Sequence, residues 1–419
     1  MKREKIKKIQ AEEILDSRGR PTLLVRVFSE KLSAEFSVPA GASKGEFEAK
    51  ELRDGGQRFA GFGVQKAKNN IEKIIAPKIK GFNIFDQEKI DKTLIELDGS
   101  EDKSNLGANA ILGVSVASLK LAAKINKTPL WLYIAKKYKK KPKIPFLAMN
   151  FINGGKHSNS PLKIQEYLII LKGGRIINLL DEAHKVFSGL KKIVQKEVFP
   201  AFGVGDEGGL VIPEKDEIKA LKLLKKATSF AFKKERIRLG LDLAANSFFE
   251  KGKYRLNIAT FSREEMIKFV FKITDQFKIF YLEDPFFEED FEAFAKLKEL
   301  IVKNKKDTLL IGDDLTATNP ERLKKAITQK AINAVLIKPN QIGTASETLE
   351  TINIAQKHNL KTIVSHRSGE TNDSFIADLA VGVGADGLKA GSIVRGERVA
   401  KYNRLLEIDK ELALFKNKL

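Results

Sequence analysis

From about residue 237 onward the chain repeats one texture: a short apolar run that ends in a polar residue, followed by an amphipathic, lysine-rich stretch of helical period. Arg238 to Leu241 runs into Asp242, Ile279 to Leu282 into Glu283, and Thr308 to Gly312 into Asp313. Ala334 to Ile337 runs into Lys338, Lys361 to Ser365 into His366, and Gly387 with Leu388 into Lys389. Such runs are too short for helices and match strands buried on both faces. Strands that alternate with helices predict repeated βα units and a βα barrel, in which the carboxyl ends of the strands open onto one face. Those six polar residues are therefore expected in a single pocket.

The first part of the chain reads differently. Thr22 to Val27 is rich in β-formers, Asp16-Ser17-Arg18-Gly19-Arg20-Pro21 is a turn, and Glu35 to Val38 leads into the small-residue loop Gly41-Ala42-Ser43-Lys44-Gly45. Helical period follows in Val64 to Ile75, Gln87 to Leu97 and Gly107 to Ile125, the last rich in alanine and glycine and so expected to pack closely. The charged stretch KKYKKKPK, Lys136 to Lys143, reads as an exposed boundary. The expected organisation is an N-terminal α+β capping domain over residues 1–135 and a catalytic βα-barrel domain over 142–419.

Composition narrows the function classes. Cysteine is absent, which excludes disulfides, thiolate metal sites and a cysteine nucleophile and suits a reducing cytoplasm. No apolar run is expected to reach membrane-spanning length, and the amino-terminal stretch lacks the apolar core of a secretion signal. Lysine and arginine number 75 against 54 acidic residues, a net charge of +21. The lysines are spread over nearly every predicted helix, the pattern of a solvated surface, so nucleic-acid binding is expected only as a weak electrostatic side role. A field of that sign draws in small anions.

Three carboxylates, Asp242, Glu283 and Asp313, on strand ends of one barrel repel one another unless a cation sits between them. With oxygen donors and no thiolate or histidine pair, Mg²⁺ is the ion expected. An acidic residue at a strand end can instead cap the next helix, but three together with Lys338 and Lys389 favour a site. A lysine beside bound cations has its charged form disfavoured and can act as a base near neutral pH. His366-Arg367-Ser368-Gly369 supplies a cation, a hydroxyl and a glycine for gripping a phosphate. Two loop-like segments, Asn153 to Tyr167 with His157, Gln165 and Glu166, and Gly203 to Leu210 with Asp206 and Glu207, offer the acid that such chemistry still needs.

At this level of detail the chain resembles the enolase family, over almost its whole length. The resemblance is carried by ILDSRGRPT, PAGASKGEFEAKELRDGG, LGANAILGVSVA, NFINGGKH with IQEY, GVGDEGG, LGLDLAA, LEDPF, GDDLTATNP, LIKPNQIGT, SHRSGETNDSFIADLAVG and GLKAGS followed by ERVAKYN. It implies a lyase that dehydrates 2-phosphoglycerate reversibly to phosphoenolpyruvate, on an N-terminal α+β domain followed by a modified TIM-type barrel whose first units depart from simple alternation. It implies Lys338 as the base at C2, Glu207 as the acid at the C3 hydroxyl and Glu166 as its support. It further implies Asp242, Glu283 and Asp313 as ligands of a first Mg²⁺ and Ser43 of a second, two ions per active site. Gln165 and Lys389 would contact substrate, Arg367 and Ser368 its phosphate, with His157 on a closing loop and His366 near the reacting groups. A homodimer or larger assembly of dimers is implied as well.

The chain departs from the family pattern at Ala40 and Lys44 of the glycine loop, where serine and threonine are usual, and at Pro339, directly after the expected base. None of these removes a functional group. The competing reading is another lyase or racemase of the same superfamily, which would share the three-carboxylate site. Ser43, GDEGG and SHRSG argue against it.

Overall fold

The structure is a computed structural model and describes residues 4–41, 45–197 and 202–416. Ser43 and Lys44 lie outside the described residues. Three antiparallel strands open the chain, β1 (Lys8–Leu15), β2 (Pro21–Phe28) and β3 (Ser33–Ser37), in that order across the sheet. Leu23, Val25 and Val27 alternate inward along β2 and are fully buried. The helix Ala108–Ile125 lies across β2 and β3, and Gly113 is what lets it come so close: a Cβ there would stand 2.4 Å from Val25 Cγ2. That helix also corrects the expectation that no apolar run reaches membrane-spanning length. It is long and apolar enough to do so by composition, yet 83% of it is buried inside the protein, as a core helix of this domain is.

The stretch expected as a boundary is partly helical. Lys136 and Lys137 form the last turn of the helix Leu130–Lys137, and only the residues after it run free to the first barrel strand. Eight strands then close into a barrel: β4 (Phe146–Asn153), β5 (Glu166–Leu171), β6 (Ile237–Asp242), β7 (Ile279–Glu283), β8 (Leu309–Gly312), β9 (Ala334–Ile337), β10 (Lys361–Ser365) and β11 (Gly387–Lys389). Closure comes from β11 pairing with β4, Lys389 opposite Ala148. The barrel is modified as expected, because β5 runs antiparallel to both β4 and β6 while the remaining neighbours are parallel. Two helices, Ile176–Glu197 and Glu217–Ala227, intervene before β6. From β6 onward the barrel strands alternate with helices, with a small antiparallel sheet of Phe249–Glu250, Lys253–Arg255 and Thr260–Phe261 inserted between β6 and the helix before β7.

The reversed strand matters for the site. In a parallel strand the first residue lies at the closed end of the barrel, but antiparallel pairing sets Glu166, the first residue of β5, opposite Asp242, the last of β6. A two-stranded hairpin, Phe202–Val204 with Leu210–Val211, extends the sheet beyond β4 and carries the Gly205–Gly209 turn to the same rim.

Candidate active site

Seven acidic side chains (Glu48, Glu166, Glu207, Asp242, Asp284, Asp313, Asp314) and three basic ones (Lys338, Arg367, Lys389) line one pocket at the carboxyl ends of the strands. His157, Gln165, His366 and Ser368 complete it. Of the residues expected from the sequence, all described ones converge here. Glu283 stands at its base in contact with Lys389, and Ser43 falls outside the described residues.

Each lysine is clamped by carboxylates. Lys389, 2% exposed, places its Nζ 2.9 Å from Asp242 Oδ2, 2.9 Å from Glu283 Oε2 and 3.1 Å from Glu166 Oε1. Burial alone would strip its proton, but these three charges outweigh it and hold the ammonium well above the usual lysine range. Lys338 pairs with Asp313 Oδ2. Burial is the largest influence and lowers its pKa, but Asp313 together with Glu283 opposes it, and the balance lies above the ordinary value. Asp313 in turn is held below the usual carboxylate range, because Lys338 outweighs the burial that would push it up.

Pro339 does not misdirect Lys338. It occupies the first turn of the short helix Pro339–Ile342, where its missing N–H has no intrahelical partner to lose. The Lys338 N–H donates instead to Thr318 Oγ1 at 2.9 Å.

The acid end is a cluster of two glutamates and two histidines. Glu207 Oε1 lies 3.3 Å from His157 Nδ1 and 3.6 Å from His366 Nε2, and its Oε2 accepts from Asn150 Nδ2 at 3.1 Å. Glu166 Oε1 lies 3.6 Å from the same His157 nitrogen. Burial and the charge of Glu207 push the Glu166 carboxyl well up. Burial pushes Glu207 up too, but His157 and Arg398 oppose it, and the balance holds Glu207 well down. The two neighbouring carboxyls are thus pushed in opposite directions. The turn that presents Glu207 needs its glycine: Gly208 has φ +85° and a Cβ there would meet Val394 O at 2.8 Å.

His366 is neutral, since burial drives its pKa well below the usual histidine value. Arg398 Nη1 sits 2.6 Å from His366 Nδ1. A guanidinium only donates, so Nδ1 accepts and the ring proton is on Nε2, the nitrogen that faces Glu207. Arg367 is bidentate with Glu48, both nitrogens 2.9 Å from Oε2, and Ser368 Oγ accepts from Arg18 at 3.4 Å. Gln165 Nε2 lies 3.5 Å from Asp242 Oδ2.

The expected metal ligands do not meet at a point. Asp242 and Glu283 share Lys389, whereas Asp313 is turned to Lys338 and Gln341. Among the described residues, the groups of three whose donor atoms lie within 4.8 Å of one another are Asp284, Asp313 and Asp314, and His157, Glu166 and Glu207. The residues nevertheless suit a hard dication. Their donors are carboxylate oxygens, and burial with mutual repulsion pushes Glu283 and Asp314 up to about 8. Charge of that density is relieved by Mg²⁺ better than by two lysines.

Several members were not anticipated. Asp284 and Asp314 directly follow Glu283 and Asp313 in LEDPF and GDDLT, so the doubled acids were a signal that went unused. Glu48 and Arg398 had none: Glu48 reaches Arg367 across 319 positions of chain, and Arg398 looks like one of many surface arginines until the fold buries it completely.

Comparison with known proteins bears on the same residues. The family model described as Enolase, C-terminal TIM barrel domain, matches residues 141–417, and that described as Enolase, N-terminal domain, matches 6–134. A protein named Enolase from Methanopyrus kandleri is 44% identical over 417 residues, covering 98% of this chain and 96% of the relative. Proteins of the same name from Pelagibacter ubique and Methanocaldococcus jannaschii are 45% and 43% identical, over 97% and 98% of this chain and 97% and 96% of their own.

Proposed function

The chain belongs to the enolase family of lyases, and on that premise we propose that it dehydrates 2-phosphoglycerate reversibly to phosphoenolpyruvate in glycolysis and gluconeogenesis. The observation that carries the reading is the pairing of Lys338 with Asp313 at one side of the pocket and the Glu166–Glu207–His157 cluster at another, a base and an acid in one cavity.

Lys338 takes the proton from C2, and the electron pair moves into the adjacent carboxylate to give an ene-diolate. Lys389, held in its charged form by the carboxylates around it, would meet that carboxylate. The C3–O bond then breaks and the hydroxyl leaves as water, with its proton supplied from the Glu166–Glu207 pair. Asp242, Glu283 and Asp313 would hold Mg²⁺, whose positive charge would compete with Lys338 for Asp313 and offset the charge of the ene-diolate. A second ion would rest on Ser43. Arg367 and Ser368 bind the phosphate, the first by trading part of its hold on Glu48 for phosphate oxygens. The family reading also carries a homodimer or higher homo-oligomer and a cytoplasmic location.

Two tests belong here. Removal of divalent cations with EDTA should abolish formation of phosphoenolpyruvate, and added Mg²⁺ should restore it; full turnover in the chelated enzyme, read by enol absorbance, contradicts the metal requirement. Arg367→Lys keeps the charge but loses the planar fork that serves both Glu48 and phosphate. KM for 2-phosphoglycerate should rise by about tenfold or more, equivalent to about 1.4 kcal/mol, with a smaller change for a substrate analogue lacking phosphate. An unchanged KM removes Arg367 from the phosphate site.

A further inference from the structure

The floor of the pocket holds a polar group that the reaction above does not use. The layer of side chains inside the barrel is apolar, with Ala148, Leu168, Ile311, Leu336 and Ile363 among its members, and Tyr281 of β7 lies fully buried in it. Alternation along the strand puts Tyr281 and Glu283 on one face, so the phenol stands beneath the carboxylate. Among the described residues its hydroxyl makes one hydrogen bond, donated to Glu283 Oε2. The neighbouring strand makes room for the ring: a Cβ on Gly240 would come within 2.9 Å of Tyr281 Cβ. Packing alone does not call for the hydroxyl. Phenylalanine would fill almost the same volume, and a buried hydroxyl costs free energy unless an acceptor answers it.

Glu283 therefore has two partners. Lys389 donates to Oε1 at 3.0 Å and to Oε2 at 2.9 Å, and Tyr281 donates to Oε2. They differ in how they meet a dication. The ammonium of Lys389 is repelled by one, whereas the neutral phenol is not, so Tyr281 is the partner that can stay on the carboxylate when the cation arrives.

We propose that Tyr281 is a positioning residue for the cation site, holding the Glu283 carboxylate from below so that its remaining lone pairs face the ion. The inference rests on the reading of Glu283 as a metal ligand. A carboxylate anchored in this way gives up less freedom on binding, and loss of such an outer partner typically weakens metal affinity 10- to 100-fold.

The test is calorimetric titration of the full-length, substrate-free protein with Mg²⁺, on wild type, Tyr281→Phe and Glu283→Gln, beside metal-free thermal unfolding. Tyr281→Phe should weaken Mg²⁺ binding by about tenfold while the metal-free melting temperature does not fall. Glu283→Gln should weaken it further. Affinity of Tyr281→Phe equal to wild type, with Glu283→Gln impaired, overturns the positioning role and leaves the ligand reading intact. Glu283→Gln binding as tightly as wild type overturns the ligand reading and the inference together.

Discussion

Replacing Lys338 with alanine is expected to lower turnover of 2-phosphoglycerate by roughly 10²- to 10⁴-fold, the range spanned by loss of a positioned general base. The loss should fall on kcat, because Lys338 is engaged with Asp313 and contributes little to holding phosphate or carboxylate. A structural effect must be separated from it. Asp313 without Lys338 is a buried carboxylate lacking its charged partner, although Gln341 Nε2 still donates to it at 2.9 Å. Added Mg²⁺ should restore the melting temperature of the variant without restoring turnover. Lys338→Met, which keeps the apolar stem, should be as inactive as alanine. Turnover within about tenfold of wild type in either variant would displace Lys338 as the base.

The second large effect concerns Glu207. Glu207→Gln is expected to cost roughly 10²- to 10⁴-fold in kcat, because the amide cannot pass a proton to the leaving hydroxyl. Glu166→Gln should cost a similar amount, since both carboxyls lie against the same nitrogen of His157. Residues that act as a unit are not additive. The double variant should therefore be little slower than the worse single one, measured as initial rates under saturating Mg²⁺. Multiplicative losses would mean that the two glutamates serve separate steps.

How much of this was legible in the sequence depends on the kind of information each residue needed. Strands β6 to β11 were visible because a parallel strand buried on both faces is a short apolar run, and its functional residue is simply the one at which the run stops. Asp242, Glu283, Lys338 and Lys389 were placed that way; the pocket gathers three of them, and Glu283 lies at its base in contact with Lys389. The direction of a strand, in contrast, leaves no mark on its own hydrophobic pattern. Glu166 heads an apolar run, and only pairing with β6 shows that its start lies at the active rim. Side-chain partners were legible least of all. Glu48 with Arg367 and Arg398 with His366 are meetings of distant segments that carry no local periodicity. The direction in which the Lys338 pKa moves also needed coordinates, because burial and Arg367 lower it while Asp313 and Glu283 raise it. Pro339, conspicuous in the sequence, turned out to occupy a position that suits proline.

The central claim is that Lys338 removes the C2 proton and that the glutamate pair acts afterwards at C3. Exchange of the C2 hydrogen of 2-phosphoglycerate in D₂O, followed by NMR with Mg²⁺ present, separates the two events. The prediction is that Glu207→Gln incorporates deuterium at C2 while forming little phosphoenolpyruvate, and that Lys338→Ala incorporates none above background. Deuterium appearing at C2 with Lys338→Ala as fast as with Glu207→Gln would contradict the account.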